Sequence, residues 1–243
     1  MKFLHTPSMA ILFLSLSFLA CNDDDCINGE GVIETRTIEL TSFDKVSLFG
    51  IDHLTIKQGD VQEVKVTGYP NIIDELNTST ANNEWEIKLN DGCYNNADLD
   101  IEITIPVLKA SNLIGSGSIS VEEFVNQENQ LFAVSGSGNM EIGGNSGTKE
   151  VIFSITGSGD ITGSKDFTDL ESVILNISGS GDFDGFSIQS PIYEVIISGD
   201  GNANVHALDL LTGTITGSGN INYLGSPEVN VSITGSGKVN NVN

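Results

Sequence analysis

Between Gly115 and Gly237 the chain writes Gly, a small residue, Gly seven times, starting at Gly115, Gly136, Gly157, Gly179, Gly199, Gly217 and Gly235. The starts are 21, 21, 22, 20, 18 and 18 residues apart, and the middle residue is Ser everywhere except Asp200. A fixed period near this length marks a repeat architecture, in which a single unit cannot bury its apolar face and stacked units can.

The residues around each copy say which kind of repeat it is. Two positions before the first Gly stand Leu113, Val134, Ile155, Ile177, Ile197, Ile215 and Ile233, all aliphatic. Val151, Phe153 and Ile155 alternate with Ile152, Ser154 and Thr156, the period of two that belongs to a strand. Two residues past the second Gly the chain is apolar again, as at Ile119, Ile161 and Ile221. Each repeat therefore reads strand, Gly-Ser-Gly bend, strand. Such a unit is too short for a crossover helix between parallel strands and suits one coil of a β-solenoid. The expected fold is all-β: a right-handed parallel β-helix of about seven coils over residues 110–243, with stacked aliphatics filling a narrow core and the Gly pair supplying the φ freedom of a corner.

The region before it has another texture. Residues 31–109 are richer in charge and aromatics and lack the Gly-Ser-Gly signature, yet runs such as 37–40, 45–48, 53–57, 63–67, 84–89 and 100–105 alternate between turn signals at Gly59-Asp60, Tyr69-Pro70-Asn71 and Asn90-Asp91-Gly92. They read as an N-terminal β cap over the first coil, whose edge would otherwise be unpaired.

Lys2 followed by the apolar run Met9 to Ala20 is too short for a bilayer span and reads as a secretory signal over residues 1–20. Phe18-Leu19-Ala20-Cys21 resembles a lipobox, which makes Cys21 the expected lipidated N-terminus; the alternative is ordinary cleavage with Cys21 left free. Asn22, Asp23, Asp24 and Asp25 resemble the acidic export signal of surface lipoproteins in Bacteroidetes-type bacteria, and residues 21–30 serve equally as a solvated tether. Without residues 1–20 the chain holds 33 acids against 9 bases, a net charge of −24, so nucleic acid and anionic membrane surfaces are poor partners. With Cys21 given to lipid, Cys26 and Cys93 remain; an oxidising compartment favours one disulfide between them over two free thiols.

The Phe43-Asp44-Lys45-Val46 opening, the Ile56-Lys57-Gln58-Gly59 turn, Ile103-Thr104-Ile105-Pro106 leading into Leu113, and the closing run from Ile215 to Gly225 together resemble the head GIN domain family. The resemblance spans roughly residues 37–243 and implies an adhesin head on the cell surface. No translocator barrel follows in the sequence, so a lipid anchor is expected in place of auto-transport.

Catalytic chemistry is sparse. His53 and His206 are isolated, Arg36 is the only Arg, the thiols lack zinc spacing, and no Gly-x-Ser-x-Gly elbow occurs. Gly157-Ser-Gly159-Asp-Ile-Thr-Gly163 meets neither dinucleotide nor Walker spacing and reads as a corner. Two constellations stand out. Asp160, Asp182, Asp184 and Asp200 fall near one corner of the stack, by default as turn formers with no cofactor expected, and alternatively as a shallow Ca²⁺ site. Leu131, Ile152 and Ile174 fall on one outward stripe, either an apolar ridge for a partner or a surface covered by the protein's own loops.

The reading is a lipid-anchored, outer-membrane or cell-surface binding or adhesion module that takes a glycan or protein ligand and has no catalytic activity. The rival readings are a polysaccharide-active β-helix enzyme, which needs long loops and a cleft absent from coils this short, and a ligand-free envelope scaffold.

Overall fold

The computed structural model describes residues 26–51 and 53–243; the signal segment, Cys21 and the Asp23–Asp25 run of the acidic tether lie outside the described residues. The described chain is a stack of parallel coils with two long faces. On the first face Ala110–Gly115, Gln130–Gly136, Glu150–Gly157 and Ser172–Gly179 pair in parallel, each in register with the next. The far halves of Phe183–Gly199 and Ala203–Gly217, and then Glu228–Gly235, continue the series. The second face is built likewise from Ser118–Val121, Asn139–Ile142 and Ile161–Gly163, ending on Asn220–Leu224 and Lys238–Asn241.

Strand formation follows from the alternation. In-register pairing stacks Leu48, Leu113, Val134, Ile155, Ile177, Ile197 and Ile215 into one inward ladder, none more than 1% exposed. Each such side chain contributes about 1.5–3 kcal/mol by leaving water. Beside it, Phe132 and Phe153 stack with ring centroids 5.8 Å apart, and Phe183 reaches Phe153 from the second face at 4.8 Å. A large ring needs a small residue near it: a Cβ on Gly185 would lie 2.2 Å from the Phe183 ring.

The third side has little strand and is held by buried amides. Gln130 Nε2 donates to the Leu108 carbonyl at 2.8 Å, Asn145 Nδ2 donates to Gln130 Oε1, and Thr148 Oγ1 donates to Asn145 Oδ1 at 3.0 Å. Sealed polar groups persist only when paired in this way.

The two glycines of each bend are alike in crowding, a Cβ on Gly179 lying 2.3 Å from the Gly157 carbonyl oxygen, and differ in φ, which corrects the expectation that both supply φ freedom. The first is the residue at positive φ, between 96° and 135° from Gly115 to Gly235. Of the second glycines only Gly117 has positive φ; the others are required by crowding. A Cβ on Gly181 would lie 2.0 Å from the Gly159 carbonyl oxygen and 2.8 Å from Ile155 Cγ2.

Residues 31–109 are more than a cap. Lys45–Phe49 pairs in parallel with Ala110–Gly115 and His53–Gln58 with Ser118–Val121, so the stack runs through residue 109 without a break. On their other side lie Glu84–Ile87 and Asp100–Ile105, also parallel. The chain thus enters at the second rung, steps out to lay the first, and passes back over it. The closure itself is antiparallel: Glu34–Thr37 pairs with Glu63–Gly68, which pairs with Asp100–Ile105, while the short helix Pro70–Ile73 buries Ile72 and Ile73 against the end. Cys26 and Cys93 form a disulfide with Cα atoms 4.5 Å apart, fastening the parallel pair Ile27–Asn28 and Tyr94–Asn95. Closing a loop of that 67-residue separation is worth about 4 kcal/mol in the chain-entropy account.

Gly181→Ala should cost at least about 2 kcal/mol, because the obstructing atom is backbone, whereas Ser180→Ala in the same bend should stay within about 0.5 kcal/mol. Urea unfolding of both variants reads the difference, and equal midpoints would contradict the division of labour in the bend.

Candidate functional site

The outward positions of the stack form ladders as regular as the inward ones, and they divide by charge. On the second face one ladder runs through His53, Ser118, Asn139, Asp160, Asp182, Asn202 and Asn220 to Lys238. Its Asn and Asp residues have a structural duty. Asp160 Oδ1 accepts the Asp182 backbone N–H at 2.8 Å, and Asp182 Oδ1 accepts the Asn202 backbone N–H at 2.7 Å and its side-chain amide at 3.0 Å. Asn139, Asn202 and Asn220 do the same for the rung that follows each of them. None of these residues has positive φ, so turn tolerance does not account for them.

The four aspartates singled out for Ca²⁺ do not converge. Among the described residues there is no group of three or more His, Cys, Asp or Glu that could hold a metal. Asp160 and Asp182 are adjacent, with Oδ1 of each already accepting backbone hydrogen bonds. Asp184 belongs to the next ladder along, between Thr162 and Asn204. Asp200 occupies the Ser position of its bend and accepts the Ser218 hydroxyl.

His53 invites a catalytic reading, since its strand position pairs with Asp100 on one side and Ser118 on the other. Nδ1, the nitrogen that a triad gives to a carboxylate, lies 2.8 Å from Ser118 Oγ, and Nε2 lies 3.2 Å from Thr55 Oγ1, so a hydroxyl stands at each ring nitrogen. His206 Nδ1 lies 3.2 Å from the Phe186 carbonyl. Burial pushes the Tyr193 hydroxyl well up from its ordinary titration; it donates to the Ile188 carbonyl at 2.7 Å and reaches no surface.

The first face is different. Leu131, Ile152 and Ile174 stand on consecutive rungs of one outward ladder and are half-buried. A parallel ladder presents the exposed hydroxyls of Ser135, Thr156, Ser178, Ser198, Thr216 and Thr234. That ladder carries no charge in a chain whose net charge is −23.

At the closed end a groove of about 770 Å³ is lined by Ile38, Leu40, Phe43, Val61, Val64 and Pro106, with Glu39, Asp60 and Glu63 beside them. Gln62 fixes its shape: Nε2 donates to the carbonyls of Leu40 (3.2 Å) and Thr41 (3.3 Å), and Oε1 accepts the Phe43 N–H (3.2 Å). Sequence reasoning missed this groove. Its one signal was Val61, 76% exposed, set directly after the Gly59-Asp60 turn.

Residues 42–227 match the family model described as "Putative auto-transporter adhesin, head GIN domain". A crystal structure titled a putative adhesin from Bacteroides fragilis superposes with TM-score 0.80 at 20% identity, covering 89% of this chain and all of that one. A putative lipid binding protein from Parabacteroides distasonis gives TM-score 0.72 at 26% identity, and a putative adhesin from Parabacteroides merdae 0.70 at 22%; each covers 90% of this chain and all of its own. No curated protein matches the chain. No helix among the described residues is long and apolar enough to cross a membrane.

Asp182→Asn keeps the Oδ1 acceptor and removes repulsion from Asp160, so it should raise stability by a few tenths of a kcal/mol to about 1 kcal/mol. Asp182→Ala should lower it by breaking the ladder. Thermal melts of the two variants in low salt check the signs; a loss in both would mean the carboxylate itself is needed.

Proposed function

The chain belongs to the head GIN domain family, and from that premise we propose that it is a non-catalytic adhesion module of the cell envelope, held at the surface by lipid on Cys21. The observation that carries the reading is the uniform stack. Its coils turn on three-residue bends, and where His53, Lys65, Asp100 and Glu102 line a hollow of about 280 Å³, Lys65 is paired with Glu63 and His53 with the hydroxyls of Ser118 and Thr55. The first face offers an uncharged ladder of hydroxyls beside half-buried aliphatics that end at Glu194. Binding to a glycan or protein ligand asks for such a surface; turnover asks for an acid and a base poised on a substrate, and here Lys65 and His53 are engaged with neighbours. Asp23, Asp24 and Asp25 direct the anchored head outward, and the acidic surface discourages collapse onto anionic lipid.

A second reading has its own observation. The apolar half of the closed-end groove, Ile38, Leu40, Phe43, Val61, Val64 and Pro106, together with the likeness to a protein named as lipid binding, suits a lipid chain as ligand.

The purified chain, presented to a glycan array and to immobilised envelope and matrix proteins, should bind at least one class saturably and leave it chemically unchanged. Mass spectrometry showing a released product would overturn the non-catalytic reading. In cells, Cys21→Ala should move the protein out of the membrane fraction, and a variant still carrying lipid label would refute the anchor. Replacing Asp23, Asp24 and Asp25 by Ala should keep the lipid and reduce protease accessibility on whole cells.

A further inference from the structure

The two ends of the stack are finished differently. At one end the antiparallel strands and the helix Pro70–Ile73 cover the first rung. At the other, Glu228–Gly235 has a neighbour on one side only among the described residues, and so has Lys238–Asn241. Positions sealed one rung earlier are open here: Val229 is 37% and Ile233 41% exposed, whereas Leu211 and Ile215 are fully buried. Val231, between them, is half-buried.

Natural edges are usually blunted by Pro, by Lys, by a bulge or by a covering segment. Pro227 stands just before Glu228–Gly235 and Lys238 opens the companion edge strand, but within Glu228–Gly235 itself there is none of these: Val229, Val231 and Ile233 alternate with Asn230, Ser232 and Thr234 in unbroken register with the strand behind. The local charge is equally unusual. Residues 226–243 hold one acid, Glu228, and one base, Lys238, in a chain with 33 acids and 10 bases. Over most of its surface this protein repels a second copy; at this end it does not.

We propose that this end is an interface between two copies of the chain, set tail to tail about a two-fold axis with their Glu228–Gly235 strands paired antiparallel. The inference rests on the binding-module reading and names one partner for it. The alternation selects the register. With the axis through Val231, that residue meets its own symmetry mate, Val229 meets Ile233 of the second copy, and Asn230 meets Ser232. All three inward aliphatics then continue the apolar ladder across the junction. Glu228 falls opposite Thr234 instead of a second Glu228, so no like charges face each other. The contact uses the same patch twice and therefore closes at two copies. It leaves the closed, tethered ends at opposite poles, the geometry of heads that meet from facing surfaces.

The full-length chain and three variants test this by sedimentation and mild oxidation. The parental chain should show concentration-dependent dimers. Antiparallel partners lie about 4.5–5.5 Å apart, within the reach of a disulfide at about 4.4–6.8 Å. Val231→Cys should therefore link two copies well above the parental background, which registers any contribution from Cys21. Glu228→Cys should not, its two copies being offset by six residues, or about 20 Å. Ile233→Lys adds charge where the single chain is already open, and should give a monomer that melts like the parental chain diluted below its dimer range. A parental chain that stays monomeric at the highest attainable concentration overturns the proposal, as does equal cross-linking at both cysteines or a dimer that survives Ile233→Lys. None of these outcomes touches ligand binding by the single chain, so a monomer that still binds its ligand sinks the interface and spares the binding reading.

Discussion

Everything in this fold hangs on one carbonyl group per coil. The oxygen of the first glycine in each bend accepts two backbone N–H groups from the next coil: Gly157 O takes those of Ser180 (2.8 Å) and Gly181 (3.1 Å), and Gly179 O takes those of Asp200 (2.9 Å) and Gly201 (3.1 Å). Both lone pairs are satisfied, so the corner is hydrogen-bonded along the stack as fully as the strands are. Coils drawn this close leave no room for a Cβ on the second glycine either, since it would meet the carbonyl oxygen of the second glycine one coil back, as Gly181 would meet Gly159. The bend therefore does more than turn the chain. It sets the spacing and register of every ladder that leaves it, inward and outward alike.

That regularity restricts where function can sit. An inward ladder tolerates variation only by exchange between neighbours, as where Phe183 fills the core and Gly185 yields to it. An outward ladder is free of that constraint, yet the second face has spent much of its freedom on structure, because Asp160, Asp182, Asn202 and Asn220 are tied to the rungs that follow. The hydroxyls from Ser135 to Thr234 carry no such obligation. The surface with least structural work is the neutral one.

How far the sequence could be read follows from the range of the interactions. The coil period, the inward aliphatics and the strand-bend-strand unit are local patterns repeated in phase, and the structure keeps all three. The order of the first rungs was not legible: Lys45–Phe49 and Glu84–Ile87 both alternate, and nothing local says that the later one lies outside the earlier. The closed-end groove was hidden for the same reason, since Ile38, Val61 and Pro106 meet only through the antiparallel closure. The aspartates illustrate a subtler limit. Spacing placed Asp160 beside Asp182 correctly, but whether their oxygens face a cation or the next backbone N–H depends on a rotamer, which spacing does not encode.

Charge supplies the remaining constraint. In a chain of net charge −23 the acids cannot be spread evenly without each coil repelling the next, and stacking at strand spacing brings like positions within about 5 Å. Amides relieve this on the second face, where Asn139, Asn202 and Asn220 flank the lone adjacent pair Asp160 and Asp182 and preserve the same acceptor without the charge. The same relief is complete in residues 226–243, where one acid is matched by one base. A rod that keeps itself apart from its neighbours along its length, and stops doing so at its open tip, has its contacts decided by geometry at that tip and by repulsion everywhere else.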